Sequence, residues 1–579
     1  MKRIPQPSWP VAVAVVAIGL GAVVTTANQA GQAAIPADTD AIVHVLNRLG
    51  YGPRPGDIER VASMGLDAYI DQQLNPEQVP DAALAQRLTA FPTIGLSTAE
   101  LARDYYGPAE ALRRAEQQAA ARAGAPPPTP TPTMMAGDPA MAGQPQPARP
   151  EQSPEVRAAR QKEQQILQDL MQARVTRAVW SERQLEEVLV DFWFNHFNVF
   201  SGKGQVRVYL TEYERDVIRP HVLGNFRDML GAVAESPAML FYLDNFQSVD
   251  PKAAQKQADE QAARQRLAAT RGRGRGMARA QTDQQREQQE QRLMQQRNRG
   301  LNENYGRELM ELHTLGVDAG YTQDDVVAVA RAFTGWTIDR PRDGGSFQFN
   351  AAMHDNDPKV VLGTTIKAGG KKDGEAVLDL LATHPATARF IATKLARRFV
   401  ADEPPPTVVD RAAKVFLDTK GDLRAVTRAI VTSPEFFSAE ARRAKVKTPL
   451  EFVVSAVRAS GAMVNNPQPL VQALRTLGMP LYGAQPPTGW GDTAEDWINT
   501  GALLARLNFA IQLSGGQLRG ARINVRQLAT DTGTASRDAV VAKLIPGEIS
   551  SVTRDTLAKA DSPQHLVALT LGSPEFQRK

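Results

Sequence analysis

Two stretches of this 579-residue chain cannot supply a hydrophobic core, and any fold has to form around them. The first, Ala121 to Pro154, contains PPPTPTPTMMAGDPAMAGQPQPARPEQSP. Its prolines remove backbone donors and forbid helix, and little in it can be buried. The second, Gln247 to Asn298, is rich in Gln, Arg and Ala, with RGRGRG at Arg271 to Gly276. It could be partly helical, but it holds too few apolar residues for a core face. Both are read as disordered inserts. Between Pro251 and Gly300, twelve Lys and Arg stand against five Asp and Glu, although the whole chain carries only +4. The basic pI of 9.1 therefore describes an insert and is a poor sign of a nucleic-acid-binding fold. That insert is either a solvated loop or an electrostatic tether to anionic lipid, cell-wall polymer or nucleic acid.

Outside the inserts the pattern is helical. Asp57 to Gln73 places Ile58, Val61, Ala62, Leu66, Tyr69 and Ile70 at helical spacing, and Arg157 to Phe200 reads as long helices ending in the very apolar Val188 to Phe200. Thr448-Pro449-Leu450-Glu451 has the form of a capping box with Pro at the first helical position. Thr322 to Asp325 is a weaker version, and Gly316 and Gly335 fall where helices should stop. Ser236-Pro237, Ser433-Pro434 and Ser573-Pro574 read as corners between helices. Strand signals are few: Phe347 to Asn350 and Val360 to Ile366 could pair around Met353 to Pro358. The fold class is mainly α, a multi-helix globular fold with at most a small β-hairpin and the two long disordered inserts. Its parts are a leader at 1–30, an N-terminal helical part at 31–120, the Pro-rich insert at 121–154 and a helical core at 155–246. The Gln/Arg-rich insert at 247–298, a helical core with the hairpin at 299–440 and a C-terminal helical part at 441–579 follow.

The leader has three parts. Lys2 and Arg3 are positive, Val11 to Val24 is uninterruptedly apolar, and Thr25-Thr26-Ala27 and Ala30 are small, as a signal peptidase requires. The apolar run is shorter than a spanning helix, and no later segment is apolar enough to span. The chain is expected in the periplasm or secreted, with an uncleaved N-terminal anchor as the alternative. It has no cysteine, which excludes disulfides, thiolate metal sites and a Cys nucleophile.

Several segments resemble a bacterial family in order. They are His44-Val-Leu-Asn-Arg-Leu-Gly-Tyr-Gly-Pro53, Phe192-Trp-Phe-Asn-His-Phe197, Pro237 to Asn245, Asn302-Glu-Asn-Tyr-Gly-Arg-Glu-Leu-Met-Glu-Leu-His-Thr-Leu-Gly316, Ala330 to Trp336, His354-Asp355 and Lys447 to Glu451. The chain resembles the domain of unknown function 1800 family from His44 to about Ala510, apart from the inserts. The resemblance implies an exported protein and a possible sulfatase-like or phosphatase-like partner encoded nearby, and supplies no catalytic assignment. At Gly306 the family tends to have Ala, and a glycine there should weaken the helix.

Few residues are equipped for chemistry. Glu308 and Glu311 lie on one stripe of a predicted helix with Asn304, and Arg307 sits beside them. The two carboxylates could serve acid–base chemistry or hold a metal, or they could form an ionic network with Arg307. His354-Asp355 falls on a predicted loop, where chemistry often resides. Glu308, Glu311, His354 and Asp355 are the catalytic candidates. His196, Glu311, His313 and His354 could hold a divalent metal of the zinc or iron kind, although no HExxH or other tight ligand spacing is present. His196, flanked by Phe192 and Phe200 one turn away on either side, also reads as a core residue; Glu311 and His313 could share a ligand only if their helix ends early. Trp490 and Trp497 could face a sugar or anchor packing. No nucleophile elbow, P-loop or dinucleotide fingerprint stands between a strand and a helix. Two functions are therefore expected: a binding module for a partner protein or envelope polymer, or a metal- or carboxylate-dependent hydrolase.

Overall fold

The computed structural model describes residues 38–122, 153–273, 300–525, 528 and 537–579. The leader, almost all of the Pro-rich insert and the end of the Gln/Arg-rich insert lie outside these residues. Among the described residues the chain is helical with three short antiparallel strand pairs, and no helix is long and apolar enough to cross a membrane.

The principal helices are α1 (Thr39–Arg48), α2 (Pro154–Trp180), α3 (Gln184–His196), α4 (Pro237–Tyr242), α5 (Pro251–Arg273), α6 (Glu303–Glu311), α7 (Gln323–Ala332), α8 (Pro385–Phe399), α9 (Pro449–Ala459), α10 (Gln468–Thr476) and α11 (Thr500–Ser514). Two of them form the centre. In α9 every residue is buried, and in α3 Leu185, Val188, Leu189 and Trp193 are fully buried. A helix apolar around its whole circumference belongs inside. α2 packs against α3, α9 and α10. The expected capping boxes form at Thr448–Glu451 and at Thr322–Asp325. Ser236 and Ser573 cap helices that begin on Pro237 and Pro574.

Two buried guanidiniums join distant parts of the chain. The Arg48 Nη2 of α1 donates to the Ala441 carbonyl at 2.5 Å. Arg458 in α9 donates to the carbonyls of Gly52 at 2.8 Å and Val179 at 2.7 Å, and meets Asp57 at 3.3 Å.

Four expectations need correction. The Asp57 to Gln73 segment is two helices, Asp57–Met64 and Leu66–Leu74, because Gly65 takes φ 89° between them. The second insert begins later than Gln247. Ser248, Val249, Ala254 and Ala258 are 2–4% exposed, and α5 docks on the loop after Phe349, with Gln257 donating to the Ala352 carbonyl at 2.9 Å. Ala254 and Ala258 are four apart, so they share a face, and their small side chains allow close contact.

The expected hairpin between Phe347–Asn350 and Val360–Ile366 does not form. β2 (Phe347–Phe349) pairs back with β1 (Trp336–Ile338), and β3 (Lys359–Val361) pairs with β4 (Thr364–Ile366). β1 escapes notice because it has three residues and follows a helix directly. The third pair joins Met463–Val464 to Ala521–Arg522.

Gly306 does more than weaken α6. A Cβ there would lie 2.8 Å from the Val326 carbonyl and 3.0 Å from the Ala330 amide, so the glycine is what lets α6 and α7 cross closely.

Candidate functional site

His354 and Asp355 sit on a loop, as expected, but the loop is inside the protein. The His354 Nδ1 lies 2.8 Å from the Thr334 carbonyl, and its Nε2 lies 3.1 Å from Asp373 Oδ2. Lys359 donates to the same Asp373 oxygen at 2.5 Å and to the Asp355 carbonyl. The other Asp373 oxygen accepts the Gly369 amide at 2.7 Å. The side chains of His354, Lys359 and Asp373 are 0% exposed. Asp355 turns to Arg331 at 2.6 Å. Burial disfavours its charge, but the Arg331 hydrogen bonds, the Asp357 amide and Lys359 outweigh burial and hold its carboxyl below the usual range. This group is a closed polar knot that fixes the strand pairs on the helices.

His196 and His313 do meet. The His196 Nε2 donates to the His313 carbonyl at 3.1 Å, and the two rings stand 6.4 Å apart among Trp193, Phe197 and Phe390. Burial, helped by the nearby Lys394 charge, pushes His313 down to about 3 and His196 well below its ordinary value. Both are neutral core imidazoles.

α6 does end early, at Glu311, because the Thr314 hydroxyl takes the Leu309 carbonyl at 2.7 Å and the chain leaves in a wide turn, with the His313 amide on the Glu308 carbonyl. The early end does not unite Glu311 with His313: His313 turns inward, and Glu311 turns out to accept the Tyr321 hydroxyl at 3.1 Å. The four residues expected to share a metal thus occupy three separate surroundings. Among the described residues no group of three or more His, Asp and Glu gathers in metal-binding positions.

Glu308 and Glu311 remain half-exposed on α6. Burial, then repulsion from Glu311, raises the Glu308 carboxyl above its ordinary value against a weaker pull from Arg307. Arg307 forms no ion pair with them and bonds to Gln323 at 2.7 Å. Tyr242, whose hydroxyl is pushed up to about 12 by burial and then by Glu308, donates to the Gln485 carbonyl at 2.6 Å.

That contact, from α4, joins several that sew the segment Tyr482 to Trp490 to the end of α3 and the residues just after it. Asn195 reads the Trp490 backbone from both sides, at 2.8 and 2.7 Å, and Asn198 donates to the Ala484 and Pro486 carbonyls at 3.1 and 2.8 Å. Asp191 holds Arg174 at 2.7 Å, and Arg174 shares Glu214 with the Tyr482 hydroxyl. The crevices beside them hold about 30 and 20 Å³, room for a water and not for a substrate. Trp490 and Trp497 pack against each other at 6.2 Å, and Trp497 is 7% exposed.

The surface presents a different opportunity. A groove of about 580 Å³ runs between α10 and α11. Leu504, Ala473, Leu477 and Ala505 line it, with Gln472, Asn508 and Gln512. Leu504 is 58% exposed and Ile511, two turns on along the same face, is 45% exposed; Leu503 and Ile498 are 42% and 45% exposed. Sequence reasoning passed over this helix. The run Ala502 to Leu513 is apolar nearly all round, which reads as a buried helix, and only the packing shows that one face is uncovered.

A family model described as "Protein of unknown function (DUF1800)" matches residues 44–578, beyond the limit near Ala510 set by the resemblance. No curated protein and no solved structure matches the chain.

Proposed function

The chain belongs to the DUF1800 family, and from that premise we propose that it is an exported binding module that docks a partner protein in the groove between α10 and α11. One observation carries the reading: Leu504, 58% exposed, lines the groove, and Ile498, Leu503 and Ile511, each more than 40% exposed, lie on or just before the same helix. Scattered exposed leucines are ordinary, but several on one helix beside an open groove are suited to an interaction surface. The occupant we infer is the apolar face of a helix from the sulfatase-like neighbour that the family resemblance implies. The groove lining favours it: leucine and alanine meet apolar side chains, the amides of Gln472, Asn508 and Gln512 accept a polar flank, and Arg519 adds one cation to the lining. Export is supported by the leader, Lys2-Arg3 followed by Val11 to Val24.

The test is binding of the purified mature chain to the neighbouring sulfatase-like protein by titration calorimetry. Leu504→Glu and Ile511→Glu, both on an exposed face, should each weaken binding at least about tenfold, as central anchors of an interface do. Unchanged affinity in both variants would refute the groove. Mature protein beginning near Asn28 or Gly31 would support export with cleavage, and an intact amino terminus on cytosolic protein would refute it.

A second reading rests on Glu308. A half-buried carboxyl with raised proton affinity beside Glu311 is suited to donate a proton in hydrolysis of an envelope or extracellular substrate. Glu308→Gln should then abolish turnover of that substrate while leaving partner binding intact.

A further inference from the structure

A second cavity, of about 220 Å³, lies between α1, the start of α9 and the segment Leu544 to Pro546. Its wall carries several cations; Arg442 stands 3.8 Å from Asp38 and Lys579 pairs with Glu451, but Lys447 and Arg443 meet no carboxylate. Lys447 is 5% exposed, and its ammonium makes no hydrogen bond among the described residues; its near neighbour is the face of Phe576 at 4.0 Å. Arg443 donates to two backbone carbonyls, Glu548 at 2.7 Å and Pro546 at 3.0 Å, and to no carboxylate. His44, also 5% exposed, has an unpartnered Nε2, and the Nε of Arg442 is unpartnered too.

The acids that line the cavity do not neutralise this wall. The Glu575 carboxylate is taken by the Ser550 amide at 2.9 Å and the Thr553 hydroxyl at 2.8 Å. Asp40 and Glu548 are exposed residues at the rim. Holding an ammonium in a buried site without a partner is costly, and burial accordingly pushes the Lys447 ammonium down to about 7. Val43, Leu544 and Ile545 supply an apolar part of the wall, beside the polar Asn47 and Ser455.

We propose that this cavity binds a small organic monoanion, a carboxylate with a short apolar body, its acid group set among Lys447, Arg443, Arg442 and His44. The volume limits the body to a few carbons. The mixed lining separates the two halves of such a ligand, acid group against the cations and alkyl chain against Val43, Leu544 and Ile545. The site is remote in composition from the α10–α11 groove and does not depend on partner docking.

The experiment uses the full mature chain and three probes, isovalerate, inorganic phosphate and sulfate, each against sodium chloride of equal ionic strength. Thermal denaturation and titration calorimetry are read. Isovalerate should raise the melting temperature saturably and give a binding heat, while phosphate and sulfate should do neither. Lys447→Met, which keeps the stem and removes the buried charge, should weaken isovalerate at least tenfold. Val43→Phe, which fills the cavity without touching the cations, should do the same. The proposal falls if isovalerate shows no saturable effect, if both variants bind it as the parent does, or if phosphate or sulfate saturates where isovalerate does not.

Discussion

Asp373→Asn isolates the role of the buried knot around His354. The carboxylate receives three contacts on two oxygens: the Gly369 amide on Oδ1, and Lys359 and the His354 Nε2 on Oδ2. An amide of the same shape has one acceptor oxygen, so its NH2 must face a donor whichever way it is turned. The substitution also leaves the Lys359 ammonium, 0% exposed, without its close counterion. Breaking a buried pair from one side costs about 3–5 kcal/mol. Asp355 stands 4.0 Å from Lys359 and offsets part of that loss, which places the expectation near about 3 kcal/mol. Equilibrium urea unfolding followed by tryptophan fluorescence measures it. The double variant Lys359→Met/Asp373→Leu, which removes both charges, should recover most of the loss, since replacing a whole buried pair with apolar groups is often neutral. A loss below about 1 kcal/mol for Asp373→Asn would refute the structural account. Were His354 a catalytic residue, the pattern would be reversed, with stability kept and activity lost.

Other consequences can be measured on the same protein. Gly306→Ala gains about 1 kcal/mol of helix propensity but drives a Cβ against the α7 backbone, so overpacking of about 1–3 kcal/mol should leave the variant less stable; a raised denaturation midpoint would contradict the close crossing. His313 takes a proton below its ordinary 6.5 when unfolded and only near about 3 when folded, so its contribution is complete above pH 6.5 and is lost as pH falls toward 3. The expected loss from His313 is about 2 kcal/mol at pH 5, so His313→Leu should make the slope shallower, the remainder belonging to His196 and His44, which burial also holds down; an equally steep slope in the variant would assign it elsewhere. Asn195→Leu strands both the amide and the carbonyl of Trp490 and should cost about 2 kcal/mol in thermal unfolding, against no change if the Tyr482 to Trp490 segment holds itself. Deleting Gln247 to Asn298 removes the buried Val249, Ala254 and Ala258 and should lower the melting temperature clearly, whereas deletion of 123–150 should leave it nearly unchanged; equal effects would undo the revised boundary.

Helix starts were the most legible feature, because capping chemistry is local. Thr448 and Thr322 declare their helices within four residues, and both capping boxes form. Strand pairing was not legible, because Trp336–Ile338 meets Phe347–Phe349 through burial of the Trp336 and Phe347 rings, 5.3 Å apart, and no local pattern announces that contact. The candidate site suffered from the same limit. Residue type and loop position pointed to His354, but its burial is set by β3, β4 and the start of the helix Lys372–Ala382, all distant in pattern from the His-Asp pair. Glu308 and Glu311 were placed on one stripe correctly, and their neighbours Tyr242 and Tyr321 could only come from the tertiary structure.

The buried contacts of Arg48 and Arg458 also set a clock. Arg48 bonds across 393 residues of sequence, and Arg458 reaches Asp57 across 401. A ribosome adds about 5–20 residues per second, so α1 emerges and waits about 20–80 s before the segment that completes its surroundings exists. During that interval a helix with most of its residues destined for the interior has no interior to enter. The surroundings of α1 are therefore completed only once Ala441 and Arg458 have been made.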